Sequence, residues 1–412
     1  MQLVRDLDAA TGVQPVKKRK TSRLWWTVHQ WVGLKLSLFM AFIMFTGTLA
    51  VVSHEIDWVL QPSLRVAPAS AEGPVDWAGI ASNAARHPGV AQVWSMEAPV
   101  ASAFAVKVTV EDKAGDLFYL HAHPATAAIQ GEGPWAGAQR VLRNMHRHLN
   151  LPTRIGVPIV AFLGFLLLVT LVTSLVVYKK WWRGFTKPLR SRDARTWWGD
   201  LHRLSGVWSL WFVALMALTG IWYFAESVGL NAPPPPRVKI AGQATPMAEG
   251  LKPAFAAALN GYPGLEVRRV LLPGEESPVL QLHGDHKAVL VRSRANTVWV
   301  DPVSAKVLLT TDGRDMNLHQ RIAEMADPLH FGDFGGYWTK IPWFAFGLLL
   351  TSLSLSGAAI YSLRIARERG DKARLAHAFA GMWRGLPRWR WVSAALIATG
   401  LALLPALIWQ LG

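Results

Sequence analysis

The run Leu24-Trp-Trp-Thr-Val-His29-Gln-Trp-Val-Gly33, followed by Thr46-Gly47, decides how the chain is read, because its pattern returns. His29-Gln-Trp-Val-Gly33 aligns with His202-Arg-Leu-Ser-Gly206, and Thr46-Gly47 with Thr219-Gly220, each 17 residues beyond its histidine. A repeat of this length means two halves built on one plan. Each half predicts an outgoing apolar helix, an exterior domain and a returning helix. Pro158, Gly164 and Tyr178 of the first returning helix match Pro342, Gly347 and Tyr361 of the second within one residue, which sets His146 opposite His330.

Five stretches carry the roughly 20 apolar residues that a helix needs to cross about 30 Å of hydrocarbon. They are Leu34–Val52, Ile155–Tyr178, Leu204–Phe224, Ile341–Tyr361 and Trp391–Leu411, flanked by Trp, Tyr or basic residues suited to the interface. The fold expected is a mixed membrane protein: a bundle of five helices, duplicated two plus two with one added, carrying two exterior α+β modules. The boundaries expected are a basic N-terminus at 1–24, helices at 25–55, 151–180, 201–226, 338–364 and 390–412, exterior modules at 56–150 and 227–337, and short loops at 181–200 and 365–389.

Composition agrees. Of 412 residues, 51% are hydrophobic and 17% charged, against roughly a quarter charged in a soluble domain. Net charge is +16, yet 21 of the 43 Lys and Arg residues fall in residues 1–24, 179–196 and 364–390. Alternate segments are therefore cytoplasmic by the positive-inside rule. The two long connections then face the periplasm of a bacterium, with the N-terminus inside an inner membrane. The basic excess is topology, so a nucleic-acid partner is set aside in favour of membrane lipid. Lys17-Lys18-Arg19-Lys20 ahead of a long apolar run, without a small-residue cleavage site, reads as a retained anchor. Cysteine is absent, which excludes disulfides, thiolate metal sites and c-type haem attachment.

The exterior parts repeat as well. Val75–Glu132 predicts a short helix (Trp77–Arg86) and alternating strands such as Phe104–Val110 and Leu117–His121. Met247–Thr310 predicts a helix (Gly250–Asn260), strands, and Val298-Trp-Val-Asp301-Pro. Each reads as a helix packed on an antiparallel sheet. Pro233–Pro236 is a stiff spacer leading into the second.

Any redox or metal site must rest on the 13 histidines. On one straight helix, 100° per residue places His29, Gly33, Gly47 and His54 on a shared face, with His29 and His54 about 37 Å apart at opposite membrane faces. Antiparallel helix pairs would set His29 and His202 at the cytoplasmic side and His146 and His330 at the periplasmic side. Neutral imidazoles from two facing helices suit a six-coordinate haem b, glycine on the same face leaves room for a flat macrocycle, and two such haems would span the bilayer. Close helix packing is the plainer use of the glycines. Trp25, Trp26, Trp31, Trp197, Trp198 and Trp208 could wall the haems or form an interfacial belt. His54 and His148 compete with His146 for the outer position, because Pro152 interrupts the second helix. His121 and His123 alternate on one strand face and could bind a metal, although solvated strand histidines are the commoner case. His87, His283, His286 and His377 read as surface residues. Arg143, Arg147, Arg154, Asp327 and Asp333 border the outer face, where the basic ones could steer an anionic ferric chelate.

The stretch Leu24–Gly33 with Thr46-Gly47, then Met145-His146-Arg147-His148-Leu149 with Gly156, resembles the PepSY-associated transmembrane family of bacterial inner-membrane proteins. Pro328-Leu-His330-Phe-Gly-Asp333-Phe-Gly-Gly336 and Asp301-Pro are similar to the family's second half. The likeness runs from about Arg23 to Arg367. It implies periplasmic PepSY modules, a link to iron acquisition, and the activity of di-haem ferric-siderophore reductases, with His29, His146, His202 and His330 at the family's histidine positions. His148 departs from the usual His-Arg-x-Leu pattern, and the segment after Arg390 is an addition.

The function expected is transmembrane electron transfer that reduces Fe(III) in a periplasmic siderophore and so releases it, since hard oxygen donors hold Fe(II) far less well. No nucleotide fingerprint appears and the cytoplasmic segments are short, so quinol or a separate reductase must donate the electrons. Two rivals stand beside this: a non-redox siderophore permease, and a binding protein that regulates peptidases through its PepSY modules.

Overall fold

The computed structural model describes residues 19–67, 73–236, 238, 251–274, 277–368, 383 and 388–409. Lys17 and Lys18 of the expected basic N-terminus, and most of the 365–389 loop with His377, lie outside the described residues.

The first span is two helices, α1 (Arg19–Lys35) and α2 (Ser37–Val51), bent by 65° at Leu36. Leu36 leaves the helical region (φ −117°, ψ 23°), and the Ser37 hydroxyl donates to Leu34 O at 3.2 Å. A second break at Val52 leads to α3 (Ser53–Leu60), which carries His54. The straight-helix projection that set His29, Gly33, Gly47 and His54 on one face over 37 Å therefore fails, because three separate helices hold these residues. Then come α4 (Trp77–Ala85), strands β1 (Val90–Glu97), β2 (Val106–Asp112), β3 (Leu117–Ala122) and β4 (Ile129–Gly133), and α5 (Ala138–His148). The returning span is α6 (Thr153–Ala161) with α7 (Leu163–Val177).

The second half repeats this order. It has α8 (Ala194–Trp208), α9 (Leu210–Ser227), α10 (Lys252–Gly261), β5 (Glu266–Leu271), β6 (Leu280–Asp285), β7 (Asn296–Val300), β8 (Val307–Thr311), α11 (Leu318–Phe331) and α12 (Tyr337–Glu368). Its entering span also breaks, at Ser209, which stands to His202 as Leu36 stands to His29. The chain closes with α13 (Trp389–Ala402) and α14 (Leu404–Trp409). By length and composition, four helices among the described residues can cross a membrane, or five when the bent pair is one span. This is a membrane protein with an antiparallel β-sheet region.

The repeated breaks have a packing consequence. α1 packs on α7 and α8 on α12, each within its own half, whereas α2 packs on α12 and α9 on α7, across halves. Each entering span thus changes partner at its break. Glycines permit the cross-half contacts: a Cβ on Gly164 would lie 2.8 Å from Ile221 N, and one on Gly347 would lie 2.6 Å from Thr48 Oγ1. Small residues at such crossings let backbones approach closely.

The exterior modules do not stand apart. β1 pairs antiparallel with β5 through Ser95↔Leu271, Met96↔Val270 and Glu97↔Arg269, giving one eight-stranded sheet of order β4-β3-β2-β1-β5-β6-β7-β8. One core serves both modules: Ile80 and Ala84 of α4 and Ala254 and Phe255 of α10 cover Val108, Leu120, Val270, Leu282 and Val298 on a single face. By strand alternation, Lys107, Thr109, Tyr119, His121, Arg269 and His283 point to the other face. That face meets the bundle. Trp58 of α3 donates from Nε1 to Ala103 O at 2.8 Å, and Lys340 of α12 pairs with Glu55 at 2.6 Å beneath the sheet.

Candidate functional site: two facing histidine pairs

The two ends of the bundle each bring together one histidine from each half. Away from the sheet, the rings of His29 (α1) and His202 (α8) have centroids 6.4 Å apart. At the sheet side, His146 (α5) and His330 (α11) are 6.1 Å apart, with ring planes inclined at 36°. α5 does not continue into α6, because Leu149 and Asn150 adopt positive φ and Pro152 follows. That turn swings α5 back against α2 and brings His146 to the pair.

Second contacts fix the tautomers. His29 Nδ1 lies 2.9 Å from Thr173 Oγ1 and 3.2 Å from Thr170 O, and the Thr173 hydroxyl is already donating to Val169 O at 2.7 Å. His202 Nδ1 lies 2.9 Å from Ser356 Oγ, whose own proton goes to Leu353 O. His330 Nδ1 lies 2.8 Å from Thr219 Oγ1, which donates to Leu215 O at 2.8 Å, and His146 Nδ1 donates to Ile43 O at 2.8 Å. The carbonyl partners of His29 and His146 accept, which puts the proton of those rings on Nδ1, and the hydroxyls facing His202 and His330 have helix carbonyls of their own to donate to, which favours the same tautomer there. That tautomer leaves Nε2 as the lone-pair nitrogen, the arrangement that orients an imidazole for a metal.

The spacing tests what the pairs can hold. Two nitrogen–metal bonds of about 2 Å, plus roughly 1.1 Å from each nitrogen to its ring centre, separate imidazoles sharing one metal by about 6 Å. Both pairs fit. Among the described residues no group of three or more His, Cys, Asp or Glu is placed to hold a metal ion, so two imidazoles would need a ligand that brings its own in-plane donors. A haem does so. Gly33 and Gly199, each within a turn of a histidine of the inner pair, have no atom within 4 Å of where a Cβ would stand. Gly47 and Gly357 instead admit an imidazole, that of His146 and His202 respectively, while Gly164 and Gly220 pack helix on helix.

The other expected residues fall elsewhere. His148, two positions from His146, is buried on the opposite side of α5 against the turn into α6, so it is not a ligand of this pair. His54 lies outside the pair, near Lys107, Lys340, Glu97 and Glu55; burial, aided by the two lysines, pulls its pKa down to about 4. His121 is buried with Nδ1 2.8 Å from Ser63 Oγ, while His123 accepts at Nδ1 from Ala125 N and Thr126 N in a turn. The two do not converge, and the possible metal site there is withdrawn. His283 is partly buried rather than a surface residue, and burial followed by Arg269 and Arg294 brings its pKa to about 4. Arg143, Arg147 and Arg154 are exposed, with Arg143 lying over the Phe331 ring at 5.6 Å. Trp25, Trp26, Trp31 and Trp208 are exposed, as a belt requires, whereas Trp198 packs on Ala358 and Ala359.

Sequence reading missed the acceptors Thr173, Thr219 and Ser356, although Thr219 stood in the repeated Thr-Gly pair. It also missed a cleft of about 460 Å³ at the β1–β5 seam, lined by Trp94, Glu97, Tyr119, Trp135, Arg140 and Arg269. Arg140 lies 3.4 Å over Trp135 and donates to Tyr119 Oη at 2.7 Å, six residues before His146 on α5.

The membrane-length helices, the single antiparallel sheet outside them and the paired histidines define a class of mixed membrane protein. A model of the PepSY-associated TM region matches residues 26–364, so the chain belongs to that family. No curated protein matches the sequence.

Proposed function

We propose that this protein carries electrons across a bacterial inner membrane to reduce Fe(III) in siderophores on the periplasmic side, where the sheet lies. The observation that supports this best is the geometry of the two pairs, each with both Nδ1 atoms occupied and both Nε2 atoms free. His29 and His202 would hold one haem b and His146 and His330 a second. Bound there, haem supplies a one-electron Fe(III)/Fe(II) couple. The chain's own part is to present an imidazole from each half at either end of the bundle, each oriented through Nδ1, and to place one pair at the sheet side. Arg143 and Arg147, exposed beside His146, supply positive charge where an anionic chelate would approach. Electrons would enter from quinol or a separate reductase at the far end.

The absorption spectrum of the dithionite-reduced protein, with haem quantified per chain, tests the proposal. Two haems per chain are expected, falling to one in His330→Ala together with loss of ferric-chelate reduction. A haem-free wild type purified from haem-replete cells overturns it. The seam cleft favours a second reading, in which the sheet is a binding module that regulates peptidases; a haem-free chain whose isolated effect is on a peptidase would support that one.

A further inference from the structure

One turn before each outer histidine the two halves differ in charge: Arg143 precedes His146, and Asp327 precedes His330. Residues three apart share a helix face. Asp327 is also the hub of a chain of contacts that joins the exterior sheet to His330. Arg292, at the turn leading into β7, grips Glu324 with two bonds of 2.7 and 2.9 Å and reaches Asp327 Oδ2 at 3.1 Å. Arg294 adds a bond of 2.8 Å to Glu324. The other Asp327 oxygen accepts from the Tyr223 hydroxyl at 2.7 Å, and the Tyr223 ring stands edge-on to the His330 ring at 5.3 Å. Glu226, a turn beyond Tyr223, interacts electrostatically with Arg292 and Asp327. Glu324 is 7% exposed and Asp327 22%, so these charges are poorly screened by water.

We propose that Asp327 and Tyr223 are positioning residues that set the charge seen by the outer histidine pair, with Arg292 tying that setting to the exterior sheet. The inference rests on the reading of His146 and His330 as haem ligands. Within this network three carboxylates (Glu226, Glu324, Asp327) face two guanidinium groups (Arg292, Arg294), and Asp327 is the carboxylate that acts on His330, while Arg143 of the facing helix lies over Phe331. A carboxylate there favours the more positive, oxidised state of the site over the state with one added electron. The Tyr223 hydroxyl, pointing its proton at Asp327, partly offsets that carboxylate. Within the repeat only the second half carries an anion at this position; the first carries Arg143.

The test is a spectroelectrochemical titration of the full chain in detergent, with the outer wave identified as the one surviving in His202→Ala. Asp327→Asn removes the charge and is expected to raise the outer midpoint potential. Tyr223→Phe removes the offsetting proton and is expected to lower it. The inner wave should move in neither. Opposite signs from two near-isosteric changes are not what simple loosening of the bundle produces. A two-haem wild type in which both variants shift the outer wave the same way, or leave it unmoved, overturns this inference alone. If Asp327→Asn fails to fold, the sign of Tyr223→Phe decides. A haem-free wild type overturns the underlying proposal as well.

Discussion

Gly47 and the His146 imidazole compete for one space: a Cβ on Gly47 would fall 2.5 Å from His146 Cε1 and 2.7 Å from its Nδ1. Van der Waals contact needs about an ångström more. Gly47→Val should therefore expel the His146 ring and separate it from Ile43 O while leaving the inner pair in place. Haem per chain is expected to fall from two towards one, measured by pyridine haemochrome. A full complement in Gly47→Val would mean His146 is not where its function lies.

Thr219 differs from Gly47 in acting through a proton. Its hydroxyl accepts from His330 Nδ1 at 2.8 Å, and valine keeps the shape while removing the acceptor. Loss of such an outer-sphere partner typically weakens metal affinity about 10–100-fold. Thr219→Val should weaken the outer site by that order in haem-transfer titrations, with Thr173→Val doing the same at the inner site. Equal, unchanged affinities in both variants would show that these hydroxyls only cap their helices.

What the sequence made legible was whatever repeats at fixed spacing. The offset linking His29 to His202 and Thr46 to Thr219 brought out the duplication, and apolar length brought out the spans. The bend at Leu36 and the break at Ser209 were hidden because no proline marks them; only their consequence, the exchange of partner helices, explains them. The fused sheet was hidden for a different reason. Strand alternation reports which face of β1 and β5 is buried, but edge pairing between them is a backbone event that leaves no side-chain period. Likewise His54, His146 and His148 were equal candidates until the turn at Leu149–Asn150 turned one ring towards His330 and its neighbour away.

Acid should loosen the sheet over a range that begins where ordinary histidines titrate and extends well below it. Burial, aided by Lys107, holds the His121 pKa at about 4, and burial likewise brings His283 and His54 to about 4. The unfolded rings titrate near 6.5, so between pH 6.5 and 4 the unfolded state binds more protons and stability falls as pH falls. For His121, 1% exposed, the loss approaches about 3 kcal/mol. Asp333 opposes this: desolvation of its carboxyl raises its pKa to about 6, so acidification through that value favours the fold, but it is one group against three. Melting curves across this range should show the sheet weakening, and His121→Gln should flatten the slope. A pH-independent melt would contradict the buried neutral rings.

The β1–β5 seam predicts that the two exterior modules unfold together. Val270 is fully buried at the centre of the shared core, pairs with Met96 across the seam and with Leu282 on the other side. Val270→Asp places a charge with no partner among Ile80, Phe255 and Val298, a change of the kind that costs several kcal/mol. Because one core spans both modules, hydrogen exchange should quicken in β2 and β3 of the first half as well as in β6 and β7 of the second. Independent modules would confine the change to β5–β8. The distinction matters for function, since α5 hangs from β4 and α11 from β8: a sheet that yields as one unit would release His146 and His330 together, and the outer pair would be lost while His29 and His202, held by Thr173 and Ser356 within the bundle, remain.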